Sequence, residues 1–202
     1  MKTSFVLCLT TMLGVAAMQA AQQEGNPEAA KIAREASQAA KEQDWNKAID
    51  GFRKAAEKDR KYTQALGAAY SGRAVTEAND QRFQEALADL AEAIKINPRE
   101  ARFYEQRAAV EMRINDYDKA VADYSEAIKI NPDEVRYYLY RGYIYETRGD
   151  LRNAMTDTDH ALKIQPKNKE ALDRKQRLLK IQSLNAPQTN TPVPAPPKTK
   201  KP

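Results

Sequence analysis

Three arginines in this chain recur at a fixed interval, and each has an acid in step with it. Arg73, Arg107 and Arg141 stand 34 residues apart, and each is followed sixteen residues later by an aspartate, at Asp89, Asp123 and Asp157. A guanidinium offers a rigid fork of donors that matches a carboxylate in bidentate fashion. Such a ladder can recognise a carboxylate-rich partner, or it can pair each arginine with its own aspartate inside the fold. The matched spacing favours the internal pairs. Other reactive chemistry is sparse. Cys8 is the only thiol and His160 the only imidazole, so no Cys/His metal cluster, disulfide framework or Ser-His-Asp triad can be assembled. His160 follows Asp159 on a helix surface and reads as a solvated or capping side chain. Asp157 and Asp159 lie two apart and point to different helix faces. Gly67, Gly72, Gly142 and Gly149 are isolated, which leaves no glycine-rich phosphate loop. No catalytic residue, metal site or cofactor is expected, and binding is the remaining class of function.

The arginine ladder belongs to a longer repeat. Pro98, Pro132 and Pro166 share the 34-residue spacing, as do Ala86, Ala120 and Ala154, then Ala93, Ala127 and Ala161, and also Ile96, Ile130, Ile164 and Tyr70, Tyr104, Tyr138. Self-similarity at this period marks a stacked repeat architecture. Each unit reads as two helices: 135–148 and 151–164 are separated by Gly149-Asp150, and Asn-Pro or Gln-Pro ends each unit. An antiparallel hairpin folded about Asn115 sets Arg107 level with Asp123 and Ala108 opposite 120–122. Small side chains there let the helices approach to about 8 Å, the short end of the usual range. One hairpin cannot cover its own apolar surface, so the units must stack.

The pattern resembles the tetratricopeptide repeat. The matching residues of the third unit are Tyr138 at the bulky first-helix position, Gly142 at the small one, Tyr145 one turn later, Ala154 and Ala161 on the second helix, and Pro166 at the end. The resemblance implies an all-α fold, a right-handed α-solenoid of antiparallel helix pairs whose first helices line a concave groove. Three departures stand out. Arg73, Arg107 and Arg141 occupy a column where leucine is commonest, Glu77 and Glu111 replace a tyrosine, and Thr158 replaces an aromatic residue.

Clear units are expected at 67–100, 101–134 and 135–168, giving about four with a degenerate unit at 29–62. In that first unit Trp45, Ala48, Phe52 and Ala55 match later columns at a spacing of 38. The four extra residues near Thr63 to Leu66 are either one added helical turn or a longer connection. Asn26 can cap the first helix, with Pro27 at its first position. Residues 169–183 read as an amphipathic capping helix, with Ala171, Leu172, Leu178, Leu179 and Ile181 apolar and Lys169, Arg174, Lys175, Arg177 and Lys180 polar. The Pro-rich basic segment 184–202 reads as a disordered tail.

At the other end, Lys2 precedes the apolar stretch from Phe5 to Ala17, and Ala20 and Ala21 are small. Residues 1–21 therefore have the form of a cleavable secretory signal peptide, with an uncleaved membrane anchor as the alternative. The expectation is an exported protein, periplasmic or secreted, without a transmembrane helix in the mature chain. The net charge of +5 does not point to nucleic acid. Residues 184–202 carry +3, 167–183 carry +4 and 1–20 carry +1, which leaves 21–166 at −3. A nucleic-acid domain spreads its cations over a docking face instead.

The resemblance turns certain first-helix positions toward the groove: Ser71, Val75, Ala78 and Asn79; Arg102, Glu105, Ala109, Met112 and Arg113; and Arg136, Leu139, Tyr143 and Glu146. Members of the family that bind chaperones clamp a terminal carboxylate with paired Lys and Asn on these helices. Here Ser37, Val75 and Ala109 stand where an amide would be wanted, so that ligand is not carried over. The expected function is a scaffold or adaptor of the cell envelope that binds another protein, as a peptide segment or partner helix, with specificity from Arg102, Arg136, Met112, Leu139 and Tyr143. The alternative is a structural tether held to anionic envelope polymer by the basic tail.

Overall fold

The computed structural model describes residues 25–185. The expected signal peptide at 1–21 and the tail from residue 186 onward lie outside the described residues. Among these there are nine α-helices, one 3-10 turn and no strand: α1 Pro27–Lys41, α2 Trp45–Lys58, the 3-10 turn Arg60–Tyr62, α3 Thr63–Asn79, α4 Phe83–Ile96, α5 Ala101–Arg113, α6 Tyr117–Ile130, α7 Val135–Thr147, α8 Leu151–Ile164 and α9 Lys169–Asn185. The chain is all-α, a run of helix pairs. It divides into two compact units, one ending at Tyr137 and one starting at Tyr138.

Local chemistry places the helix starts. Asn26 accepts hydrogen bonds from the backbone N–H groups of Glu28 and Ala29 at 3.0 and 3.1 Å, and Pro27 needs no donor partner at the first helical position. The second helices of three pairs begin with an aspartate cap. Asp44, Asp116 and Asp150 accept from the N–H of Lys47, Lys119 and Asn153. Hydrogen bonds from Lys119 hold the Asp116 carboxyl below its ordinary pKa, and those from Asn153 do the same for Asp150. At α4 the same column holds Arg82, which makes no side-chain cap.

In the first unit, Ala33, Ala36 and Ala39 of α1 pack with Ala48, Ile49, Phe52 and Ala55 of α2 and Ala69 of α3. A second cluster joins Ala74, Ala78, Ala86, Leu90 and Val110. Burying a side chain the size of Leu90 contributes about 1.5–3 kcal/mol. Gly72 lies against the Trp45 ring, where an added Cβ would clash with the indole. The four extra residues of this unit form the first turn of α3, which has 17 residues where α5 has 13. The added residues are thus one helical turn rather than a longer connection, and α3 begins at Thr63.

In the second unit the capping helix differs from its sequence pattern. The buried stripe of α9 is Ala171, Arg174 and Leu178, while Leu172 and Leu179 face solvent. Arg174, expected on the polar outer face, is 2% exposed. It donates to the Leu139 carbonyl at 2.6 Å and to Glu170 at 3.0 Å, and its Nε lies 3.3 Å from Glu146. The carboxylates of Glu146 and Glu170 offset its charge and the bonds from Nη1 and Nη2 satisfy two of its nitrogens, which permits burial even though Nε makes no hydrogen bond. Gly142 leaves the room, since a Cβ there would lie 3.1 Å from Arg174 Nη1.

Each hairpin turn contains one residue with a left-handed backbone: Gln43 at φ 61°, Gln81 at φ 64°, Asn115 at φ 61° and Gly149 at φ 76°. Only the last has the residue type that adopts this region without a Cβ clash. Replacing Gln81 by glycine is expected to raise stability by about 1 kcal/mol, measured as an increased urea midpoint. An unchanged or lowered midpoint would show that the turn carries no strain.

Candidate functional site

The arginine ladder is turned inward. Arg73 donates through Nε and Nη2 to Asp89 at 2.6 and 2.7 Å, Arg107 to Asp123 at 2.6 and 2.8 Å, and Arg141 to Asp157 at 2.9 and 2.8 Å. The three aspartates are buried. Each arginine also lies over an aromatic ring, Tyr70, Tyr104 and Tyr145 respectively, at 5.7, 5.9 and 6.0 Å. In the second unit Tyr138 stacks on the exposed His160 ring, with centroids 5.4 Å apart. Each ladder guanidinium thus grips an aspartate of its own hairpin, and Arg73 Nη1 also donates to Asn46 of α2 at 2.6 Å.

Most of the groove residues expected from the sequence in the first unit lie on α3 and α5. Positions 71, 75 and 79 recur every four residues along α3, and 102, 105, 109 and 113 form the corresponding stripe of α5, so each set shares a helix face. Val75, Asn79, Ala109 and Arg113 come together around one cavity of about 140 Å³, whose apolar surface is completed by Ala74, Ala78, Leu90 and Val110, with Gln106 at its edge. Val75 is 42% exposed. The Arg113 guanidinium sits over the Phe83 ring at 4.8 Å. Small side chains on α3, Ala74 and Ala78, opposite Ala109 on α5 leave the hollow. That signal was present in the sequence, but nothing in it singled out Leu90 and Val110 as part of the wall.

Other expected groove residues are engaged differently. Ser71 is buried, and its hydroxyl donates to Gln106 Oε1 at 2.6 Å, tying α3 to α5. Met112 is half-buried and turned toward α6, where its sulfur accepts from the Tyr124 hydroxyl at 3.7 Å. Arg102 is exposed on the α5 stripe. Glu105 is 3.2 Å from Arg136, which also binds Glu134 at 3.1 Å. Burial raises the Glu105 carboxyl pKa despite Arg136, whereas the Arg136 hydrogen bond lowers that of Glu134. In the second unit Leu139 is buried with its carbonyl held by Arg174, so it is not an open contact. Glu146 is taken by Arg174 and Arg177 of α9. Tyr143 remains 47% exposed.

A larger cleft of about 710 Å³ lies along α1 and α2, lined by Glu35, Asp44, Lys47, Asp50 and Lys54 among others. Charges of both signs alternate on it, as on ordinary solvated surface. Among the described residues no group of acids, thiols or imidazoles could hold a metal ion, and no helix is long and apolar enough to cross a membrane.

Paired helices, an inward arginine at the three hairpins α3–α4, α5–α6 and α7–α8, and a hollow between α3 and α5 define an all-α helical-repeat architecture. Residues 135–168 match the tetratricopeptide repeat family model and residues 110–149 match a TPR repeat model, so this stretch of the chain is similar to that repeat. The TPR domain of Arabidopsis OM64 is 28% identical, with a TM-score of 0.55 over 59% of this chain and 98% of that one. The first TPR of Spaghetti (RPAP3), solved with the HSP90 peptide SRMEEVD, is 18% identical, with a TM-score of 0.54 over 58% and 93%. MamA is 16% identical, with a TM-score of 0.57 over 77% and 83%. None of the curated proteins matches this chain.

The ladder gives a direct test of its inward role. Arg141→Leu leaves Asp157, 1% exposed, without its fork of donors. The expected loss is about 3–5 kcal/mol of folding stability, read by chemical denaturation. A loss within experimental error would mean that the pair does not hold the hairpin.

Proposed function

We propose that this chain is a non-enzymatic protein-binding scaffold that takes an extended or helical segment of a partner against α3 and α5. The observation that carries this reading is the 140 Å³ apolar hollow with Val75 exposed at its rim and Asn79, Gln106 and Arg113 beside it. An apolar pocket edged by a few polar groups suits one anchoring side chain, with the polar groups orienting the backbone that follows. The RPAP3 domain supports the reading, because it is a domain of similar fold solved with a bound peptide. The acidic chaperone tail itself is not proposed as the ligand, since Val75 and Ala109 line the wall where that mode of binding needs amides.

We place the scaffold in the cell envelope, reached through the N-terminal segment of Lys2 followed by the apolar run from Phe5 to Ala17. Export would put the helical units in an oxidising compartment, where a chain lacking cysteine after residue 21 relies on packing alone.

Two measurements check these points. A photo-crosslinking residue at Val75 is expected to form an adduct with a partner protein in the native cell, and the same residue at exposed Glu92 on α4 is not. Equal labelling from both sites would remove the α3–α5 wall as the binding surface. Mass spectrometry of the protein purified from its own cell should show an N-terminus just after Ala20 or Ala21, and an intact Met1 would refute cleavage.

A further inference from the structure

Glu111 is the one position of α5 at which the repeat buries more acid than its bases serve. It is 4% exposed, and its Oε2 accepts no hydrogen bond. The charged groups facing it are Arg107 on its own helix, Asp123 and Lys119 on α6, and Asp116 at the α6 cap. Leu87 of α4 lines the same cleft and adds no charge. Arg107 is committed, because its Nε and Nη2 both go to Asp123 at 2.6 and 2.8 Å. Lys119 is committed as well, at 2.6 Å from Asp116, and its side chain is 69% exposed. A charged Glu111 would therefore sit beside Asp123 with no hydrogen-bond donor for its buried second oxygen.

The same column is relieved in the other repeats. Glu77, one repeat earlier, likewise buries an Oε2 that accepts no hydrogen bond, and burial and Asp89 raise its carboxyl, but it has Arg82 as well as Arg73 at 3.9 Å. The residue equivalent to Arg82 one repeat later is Asp116, which adds negative charge where the earlier hairpin has positive. One repeat beyond Glu111 the column holds Tyr145, a neutral side chain whose ring lies over Arg141.

We propose that Glu111 is a proton-operated latch of the α5–α6 hairpin, neutral and packed in mildly acidic solution and ionised, with the hairpin loosened, above neutrality. Burial is the leading cause and Asp123 the next, and together they push the Glu111 carboxyl from 4.5 up to about 7. Because the folded value is raised, the folded chain holds a proton that the unfolded chain has released. The stabilisation is complete below 4.5 and is lost as the pH climbs to about 7. Its effect reaches the α3–α5 hollow, since Val110 precedes Glu111 and Arg113 follows two residues later, and both line that cavity.

The test is amide hydrogen exchange from pH 5 to pH 8, with rates corrected for base-catalysed chemical exchange, on the full chain and on Glu111→Gln. In the wild type, protection of α5 and α6 amides should fall by about tenfold or more across this range, because every tenfold difference in proton affinity between folded and unfolded chain carries through to the opening equilibrium. In Glu111→Gln the fall should be much smaller, leaving only what Glu105 contributes, and α1–α2 should be insensitive in both. The same pH profile in the two proteins would overturn the latch. If Glu111→Gln does not fold, a carbon-13 carboxyl titration of wild-type Glu111 decides instead. A midpoint near neutrality supports the latch, and one at about 4 to 5, the ordinary carboxylate range, overturns it.

Discussion

Eight alanines set the distance at which these helices meet. Ala48, Ala86, Ala120 and Ala154 near the start of the second helices, and Ala55, Ala93, Ala127 and Ala161 two turns later, are all 0% exposed. A methyl group at a crossing lets two backbones approach at the short end of the helix-packing range, and a larger side chain there would force them apart or off their rotamers. The reach of an arginine across the hairpin is fixed, so the separation decides whether Arg107 can grip Asp123 with two donors at once. Close packing is thus the condition under which the ion pairs form, rather than their result.

The pairs in turn hold the register of each hairpin. A bidentate guanidinium–carboxylate contact tolerates little sliding, and the aromatic ring against each arginine narrows its freedom further. Buried ion pairs add little net stability compared with apolar packing, but breaking one is costly, which suits them to fixing one alignment. Glu77 and Glu111 show the cost of the arrangement, since each places a second carboxylate beside an arginine already in use. The first has Arg82 nearby. The second has Asp116.

Once the charges are turned inward, the hollow between α3 and α5 is left as a surface with apolar character and few polar groups. It exists because Ala74, Ala78 and Ala109 are too small to fill the space between first helices, while Leu90 and Val110 close its floor. In the second unit the equivalent demand for cover is met by α9. Its buried arginine, Arg174, reaches the Leu139 carbonyl and Glu146, groups that would otherwise face outward on α7.

The repeat, the all-α class and the reach from arginine to aspartate were all legible in the amino-acid sequence. Each depends on spacing along one helix or across one tight turn, and helical geometry converts such spacing into position almost without reference to the rest of the molecule. The identity of the wall residues was legible only in part. Val75, Asn79, Ala109 and Arg113 follow from the face they share, whereas Ser71, Met112 and Leu139 are each taken up by a tertiary partner, Gln106, Tyr124 and Arg174, that spacing along one helix does not reveal. Arg174 is the clearest case. Its charge argues for water in any one-dimensional reading, and only the arrival of Glu146 and Glu170 from two helices, with Gly142 yielding the space, makes burial the lower-energy choice.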